Sequence, residues 1–409
     1  MSAQDDAVAE PDTSLRRIRL NALILAAGAA VHGGIPPIHI ALGGLAGWTM
    51  LGPDKSLATL PVTTFLVGSA VGAIPAAQLM RRVGRRAGFM FGTLFAMTGA
   101  ILAGLMIMLD SFLGFCLAVV VSGFAQSFVQ QYRFAAADIG PPDFRARAIS
   151  WVLAGGVVAA VIGPQTAIHT RDLLAPVPFA GAYFAMAGLA LITLLILTTL
   201  GGAARLPPPT AAHGGRPFAE IATQPRFVVA VMCGVGAYAL MSLVMTAAPL
   251  AMVGHDHSHD HATLGIQWHV IAMFAPSFVT GTLIARFGYD LVTGAGFLLL
   301  ALTAVVALTG YELLNFWSAL IVLGVGWNFG FIGATSMLMS THRPEERATV
   351  QGANDFLVFG IVALASLLSG RLLATVGWEW INISVFPVVA LCIAAIAAVS
   401  LRERRTAAD

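Results

Sequence analysis

Apolar residues fall in runs of about twenty, separated by short stretches rich in Arg, Gly, Pro and Asp. Twelve such runs can be marked out, at residues 20–46, 57–80, 88–109, 111–133, 150–169, 178–200, 226–252, 265–285, 292–310, 314–338, 350–370 and 380–401. A helix needs about 20 apolar residues to cross roughly 30 Å of hydrocarbon, so each run is read as a membrane-spanning helix. Strands of a membrane barrel would instead alternate apolar and polar positions, and these runs do not. The pattern therefore predicts an all-α integral membrane protein.

The longest interruption is "GGAARLPPPTAAHGGRPFAEIATQP", residues 201–225. Its Gly, Pro and Ala content predicts a linker between two six-helix bundles, residues 20–200 and 226–401, with tails at 1–19 and 402–409. Composition agrees: the chain is 58% hydrophobic and 10% charged, whereas a soluble domain carries about 25% charged residues. The net charge of +2 offers nothing to nucleic acid. Placing both termini and the linker inside leaves only Lys55, Arg171 and Arg371 of the 22 basic residues on the other side. Basic loops stay in the cytoplasm, so this topology is expected, with the bilayer as partner. No short apolar segment ends in a small-residue cleavage site, so the first run is read as a retained span. The three cysteines, Cys116, Cys233 and Cys392, lie in separate apolar runs and form no disulfide or zinc framework. There is no nucleophile–base pair and no nucleotide-binding loop, so neither an enzyme nor an ATP-driven pump is expected.

The halves echo one another. "AQLMRRVG" at residues 77–84 aligns with "GTLIARFG" at 281–288, matching Arg82 to Arg286 and Gly84 to Gly288. "PDFRA" at 142–146 likewise aligns with "PEERA" at 344–348. Such repeats suggest a duplicated six-helix unit with a transport site between the copies. Two six-helix halves, a long linker, the G-x-L-x-x-R-x-G turns and the Gly-Pro-rich "GGVVAAVIGP" at 155–164 together resemble the major facilitator superfamily. The acidic residue usual in the first of those turns is Arg81 here, which departs from the family's gating contact.

Candidate chemistry concentrates around spans 7 and 8. Met241 and Met245 are four residues apart, as are His269 and Met273. Residues at i and i+4 share a helix face. Counting rises of 1.5 Å puts Met245 and His269 both about 6–11 Å below the outer surface. Thioether and imidazole together suit a soft ion such as Cu(I). The bland reading is that methionine fills gaps and the histidine bonds to a neighbouring helix. Between the spans, "HDHSHDH" sets His255, His257, His259 and His261 at alternate positions, and an extended segment would project all four to one side. His-rich tracts bind several metals, and Asp256 and Asp260 add negative charge; a merely solvated polar loop is the alternative. Further candidates are Cys233 below Met241, His32 and His39 flanking the "GGIPP" break, and Asp355 and Asn328 as gating or coupling groups alongside Arg82 and Arg286.

With "GWNFGF" at 326–331 and "QGANDF" at 351–356, the two four-residue motifs also resemble the CcoA-like copper importers of the same superfamily. That resemblance implies import of copper as the transported substrate, with no resident cofactor, through Met241, Met245, His269 and Met273. It further implies delivery through copper chaperones to the assembly of cbb-type cytochrome c oxidase. Two other readings stand beside it. One is a carrier of an organic solute such as a riboflavin-like compound, stacked on Trp268, Trp327 and Phe331. The other is a copper sensor that transports nothing.

Overall fold

A computed structural model describes residues 15–138, 142–201 and 215–406. Most of the expected N-terminal tail (1–14), the middle of the expected linker (202–214) and residues 407–409 lie outside the described residues. The described chain is helical: α1 Leu15–His32, α2 Ile35–Met50, α3 Leu60–Val83, α4 Arg85–Met108, α5 Phe112–Val129, α6 Tyr132–Asp138, α7 Pro142–Thr170 and α8 Ala180–Thr198. A five-residue helix, α9 (Phe218–Ala222), follows. The remainder forms α10 Pro225–Gly254, α11 His259–Phe274, α12 Ser277–Phe287, α13 Tyr289–Leu308, α14 Leu313–Met339, α15 Arg347–Ile383 and α16 Val385–Thr406.

Ten of these helical segments are long and apolar enough to cross a membrane, and the bent α11–α12 pair makes eleven. One of the ten, Thr349–Glu403, is 55 residues long. At 1.5 Å per residue that is about 80 Å, far too much for one bilayer. The chain turns within it at Gly377, whose φ of 86° is open only to a residue without a Cβ. Counting that run as two crossings restores the twelve expected spans.

Several spans are broken, each for a visible reason. The first divides into α1 and α2 at Gly33–Gly34, followed by Pro36 and Pro37 in the opening turn of α2. The fourth is longer than its apolar run suggested, because α6 carries it on to Asp138 and includes Arg133. The eighth bends by 41° between α11 and α12, at Ala275–Pro276. Asn328 of α14 answers this bend. Its Nδ2 donates to the Met273 carbonyl at 2.6 Å and to Ser277 Oγ at 2.7 Å, while its Oδ1 accepts from Thr280 Oγ1. The polar side chain inside span 10 thus satisfies backbone freed by the break, as an intramembrane break requires.

The internal repeat has a structural counterpart. α3 and α12 both stop at a glycine with nearly the same left-handed geometry, Gly84 (φ 85°, ψ 161°) and Gly288 (φ 82°, ψ 156°). Arg82 and Arg286 sit in the last turns before these stops, exposed on the side of the molecule that carries the termini. The expected linker is not wholly irregular: its described residues include α9, and Arg216 pairs with Glu346 at 2.8 Å. Glu346 also accepts from the Arg216 and Arg343 backbone amides. These bonds, led by the Arg216 side chain, hold the Glu346 carboxyl well below the usual carboxylate range.

Packing separates two groups of helices. α3, α4, α5 and α8 contact one another and α1 lies on α7; α13 lies on α14 and α16, and α10 on α14 and α15. Helices cross closely through glycine: a Cβ on Gly296 of α13 would fall 2.2 Å from the Gly330 amide nitrogen of α14. The groups meet along α7–α11, α3–α15 and α2 with α10 and α11. Polar ties between them sit at the end remote from the termini, hereafter the distal end. Thr59 Oγ1 donates to the Ser366 carbonyl at 2.9 Å, Gln165 Nε2 to Gln267 Oε1 at 2.9 Å, and Arg171 pairs with Asp260 at 2.8 Å. The larger buried cluster runs through both groups, whereas a second, near the termini, is built only from α1 and α3–α8 with adjoining loop residues. Among the described residues, the contacts that close the two groups on each other are thus concentrated at the distal end.

Candidate functional site

A central cavity of about 210 Å3 lies where the two groups meet. α2 contributes Pro36, Pro37 and Ile40; α3 contributes Phe65, Leu66 and Ser69; α5 and its cap contribute Gln126 and Gln130. Opposite them stand Tyr238, Met241, Ser242 and Met245 of α10, with Met273 and Phe274 of α11 and Phe359 of α15. No Asp, Glu, Lys, Arg or His is among the described residues that line it. The serine hydroxyls are already engaged: Ser69 donates to the Gly123 carbonyl and Ser242 to the Val362 carbonyl. The α10 wall is stiffened by an aromatic stack. Tyr238 meets Trp327, Phe331 and Phe359 edge-on at ring separations of 5.3, 5.2 and 6.0 Å, and Trp327 lies flat on Phe331.

The four residues read as a metal set are only partly brought together. Met241, Met245 and Met273 line the cavity. His269 does not: it is fully buried, and its Nδ1 donates at 2.8 Å to the Leu320 carbonyl of α14. The face it shares with Met273 by spacing is turned by the close α11–α14 crossing, where a Cβ on Gly324 would come within 2.6 Å of the His269 carbonyl oxygen. Its Nε2 finds no partner among the described residues.

The histidine tract is not an extended strand. α10 continues to Gly254 and α11 begins at His259, with Ser258 capping it by accepting from the His261 amide. The side chains turn onto surrounding aromatic residues, and His257 and His261 are in ring contact with each other, at 6.5 Å. His255 stacks on Tyr311 at 4.2 Å, His257 donates to the Tyr311 carbonyl at 2.7 Å, His259 meets Phe179 edge-on, and His261 meets Trp317 edge-on. Asp260 is spent on Arg171. No group of three or more His, Cys, Asp or Glu among the described residues could hold a metal ion.

The remaining candidates have packing roles or sit elsewhere. Cys233 is buried against Cys392 of α16, thiol to thiol, behind α10. His32 ends α1, and His39 packs between the rings of Phe65 and Tyr183, with neither nitrogen partnered among the described residues. Asp355 is exposed, accepts from Asn354, and feels the charge of Arg133 across the gap between the groups. Of the aromatic residues read as a stacking set, Trp268 is 41% exposed on the outer surface of the bundle, and Trp327 and Phe331 back the cavity wall without lining it. Sequence reasoning missed Gln126, Gln130, Tyr238 and Phe359. The one available signal was two glutamines four residues apart at the end of an apolar run.

Against known proteins, the profile of the Major Facilitator Superfamily matches residues 20–364. The chain belongs to the major facilitator superfamily. It is accordingly a multi-pass membrane transporter and not an enzyme. It is 52% identical to the riboflavin transporter RfnT of Brucella anthropi over 93% of this chain and 95% of that protein. It is also 30% identical to the uncharacterized MFS-type transporter YddS of Bacillus subtilis, over 84% of this chain and 83% of the relative. Among solved structures, the nucleoside transporter NupG superposes with a TM-score of 0.71 at 12% identity, covering 93% of this chain and 99% of NupG, which supports the fold alone. The expectation of a copper importer is overturned by the likeness to RfnT. The two four-residue motifs that suggested it are local, whereas half of all residues over nearly the whole chain are shared with a flavin carrier.

Proposed function

We propose that this transporter carries riboflavin, or a neutral solute of the same ring class, across the bacterial inner membrane by alternating access. The observation that carries this reading is the 52% identity with RfnT along almost the full length of both chains. The cavity supports it physically. A planar, uncharged heteroaromatic suits walls of Phe65, Tyr238, Met241, Met245 and Phe359, because ring stacking and thioether–aromatic contacts need no charge. A phosphorylated flavin does not suit it, since no cationic side chain among the described residues lines the cavity and an unpaired dianion there would be costly.

The distribution of Lys and Arg supports a topology with the termini and the linker in the cytoplasm. With that topology the distal closure faces the periplasm. The test is uptake of labelled riboflavin by purified protein in liposomes, with unlabelled riboflavin and its 5′-phosphate as competitors. Saturable uptake that riboflavin blocks and the phosphate does not is the expected result. Absence of riboflavin uptake from protein that folds and inserts correctly overturns the proposal.

A further inference from the structure

Gln126 and Gln130 are one helical turn apart and both line the cavity. Their side-chain carboxamides make no hydrogen bond with another described residue, unlike Ser69 and Ser242 beside them. Each carboxamide offers one acceptor and two donors. A polar group of that capacity in an apolar, intramembrane cavity is costly unless a ligand or water completes it. Across the junction of the two groups stand the rings of Tyr238, held by Trp327 and Phe331, and of Phe359, edge-on to Tyr238. One wall thus offers hydrogen bonds along an edge, and the other offers a flat aromatic contact.

We infer that Gln126 and Gln130 determine specificity by reading the imide edge of a flat heterocycle, whose face lies on Tyr238 with Phe359 inclined to it at 66°. An imide presents acceptor, donor and acceptor in sequence, from two carbonyls flanking one N–H. Two carboxamides spaced about 6 Å along a helix can donate to both carbonyls while one oxygen takes the N–H. The pyrimidine ring of riboflavin carries such an edge, so the inference rests on the flavin reading above. It goes further by assigning which atoms of the substrate are recognised and by which side chains.

The experiment compares riboflavin with its N3-methyl derivative as competitors of labelled riboflavin uptake in liposomes. The proteins are wild type and the volume-conserving variants Gln126→Met and Gln130→Met, singly and together. Methylation removes the imide donor and blocks the edge. In the wild type it should weaken competition about tenfold, the order expected for one or two lost neutral hydrogen bonds. In the double variant riboflavin should itself bind about tenfold or more weakly, and the two competitors should become equal. A merely structural role for the glutamines would lower uptake while leaving the preference for riboflavin intact. Should wild type not distinguish the competitors, the inference fails without reference to any variant. A folded double variant that keeps the full preference also overturns it. Wild type that takes up no riboflavin at all fails the flavin reading, and this inference with it, and so is distinct from intact uptake without edge discrimination.

Discussion

The distal closure can be wedged open at one atom. Gly370 of α15 faces Thr59 at the start of α3, and a Cβ built there would lie 2.4 Å from Thr59 Oγ1, 2.8 Å from its Cγ2 and 3.1 Å from its Cβ. Thr59 is fully buried, and its hydroxyl is already committed to the Ser366 carbonyl. Gly370→Val must therefore either turn Thr59 out of its hydrogen bond, at about 1 kcal/mol, or push α3 and α15 apart, at about 1–3 kcal/mol of overpacking. Because the wedge acts only when the two groups are closed distally, it shifts the balance between conformations without altering either bundle. By either route the cost is about 1–3 kcal/mol, roughly 5- to 140-fold in the closed-to-open ratio. The natural cysteines are all buried, so after their replacement a Ser69→Cys probe in the cavity can report access. In intact cells a membrane-impermeant maleimide should label Ser69→Cys tens of times faster when Gly370→Val is present. Gly360→Val, on the same helix with nothing within 4 Å of its Cβ position, serves as control and should leave the rate unchanged. Equal labelling rates in the Gly370→Val and parent proteins, both inserted and folded, would refute the assignment of this contact as the distal gate. A rise seen only in inside-out vesicles would instead reverse the proposed topology.

Other consequences are open to direct measurement. Tyr238→Ala should reduce riboflavin uptake at least tenfold by removing the ring that forms the cavity wall, whereas Trp268→Ala, on the outer surface, should change it less than twofold. Gly296→Ala should lower the melting temperature in detergent by the equivalent of about 1–3 kcal/mol, since its Cβ would meet Gly330 backbone that has no side chain to move. A strong metal chelator, or His257→Ala with His261→Ala, should leave uptake of riboflavin unaltered, because these side chains pack on Tyr311 and Trp317 away from the cavity. The Glu346 carboxyl is depressed in the folded protein, so its contact with Arg216 is present above the ordinary glutamate range and is lost only as pH falls below it. Linker cleavage by a protease should thus stay constant from pH 8 to about pH 5, and increase at all these pH values in Arg216→Ala.

Much of the architecture was determined by the sequence alone. Run length and the scarcity of charge select spanning helices, because a bilayer leaves unpaired backbone no other partner. The duplicated turns at Gly84 and Gly288 were legible for a local reason: each stops a helix with a backbone conformation that favours glycine. The breaks at Gly33–Gly34 and Ala275–Pro276 were likewise written in residues that interrupt a helix. What spacing could not supply is the rotation of each helix against its neighbours. His269 and Met273 share a face by count, yet the Gly324 crossing directs the imidazole to Leu320 and leaves Met273 at the cavity. The alternating histidines implied a flat display, but Ser258 starts a helix among them and their rings pack on Phe179, Tyr311 and Trp317. By sequence Asn328 reads as a gating or coupling group, and the bend of the eighth span instead gives it a carbonyl to satisfy. The cavity itself joins residues from helices scattered from α2 to α15, so no local motif announces it. Local chemistry fixes which residues can make helices, turns and stops; only the packing of twelve spans decides which side chains face one another across the site.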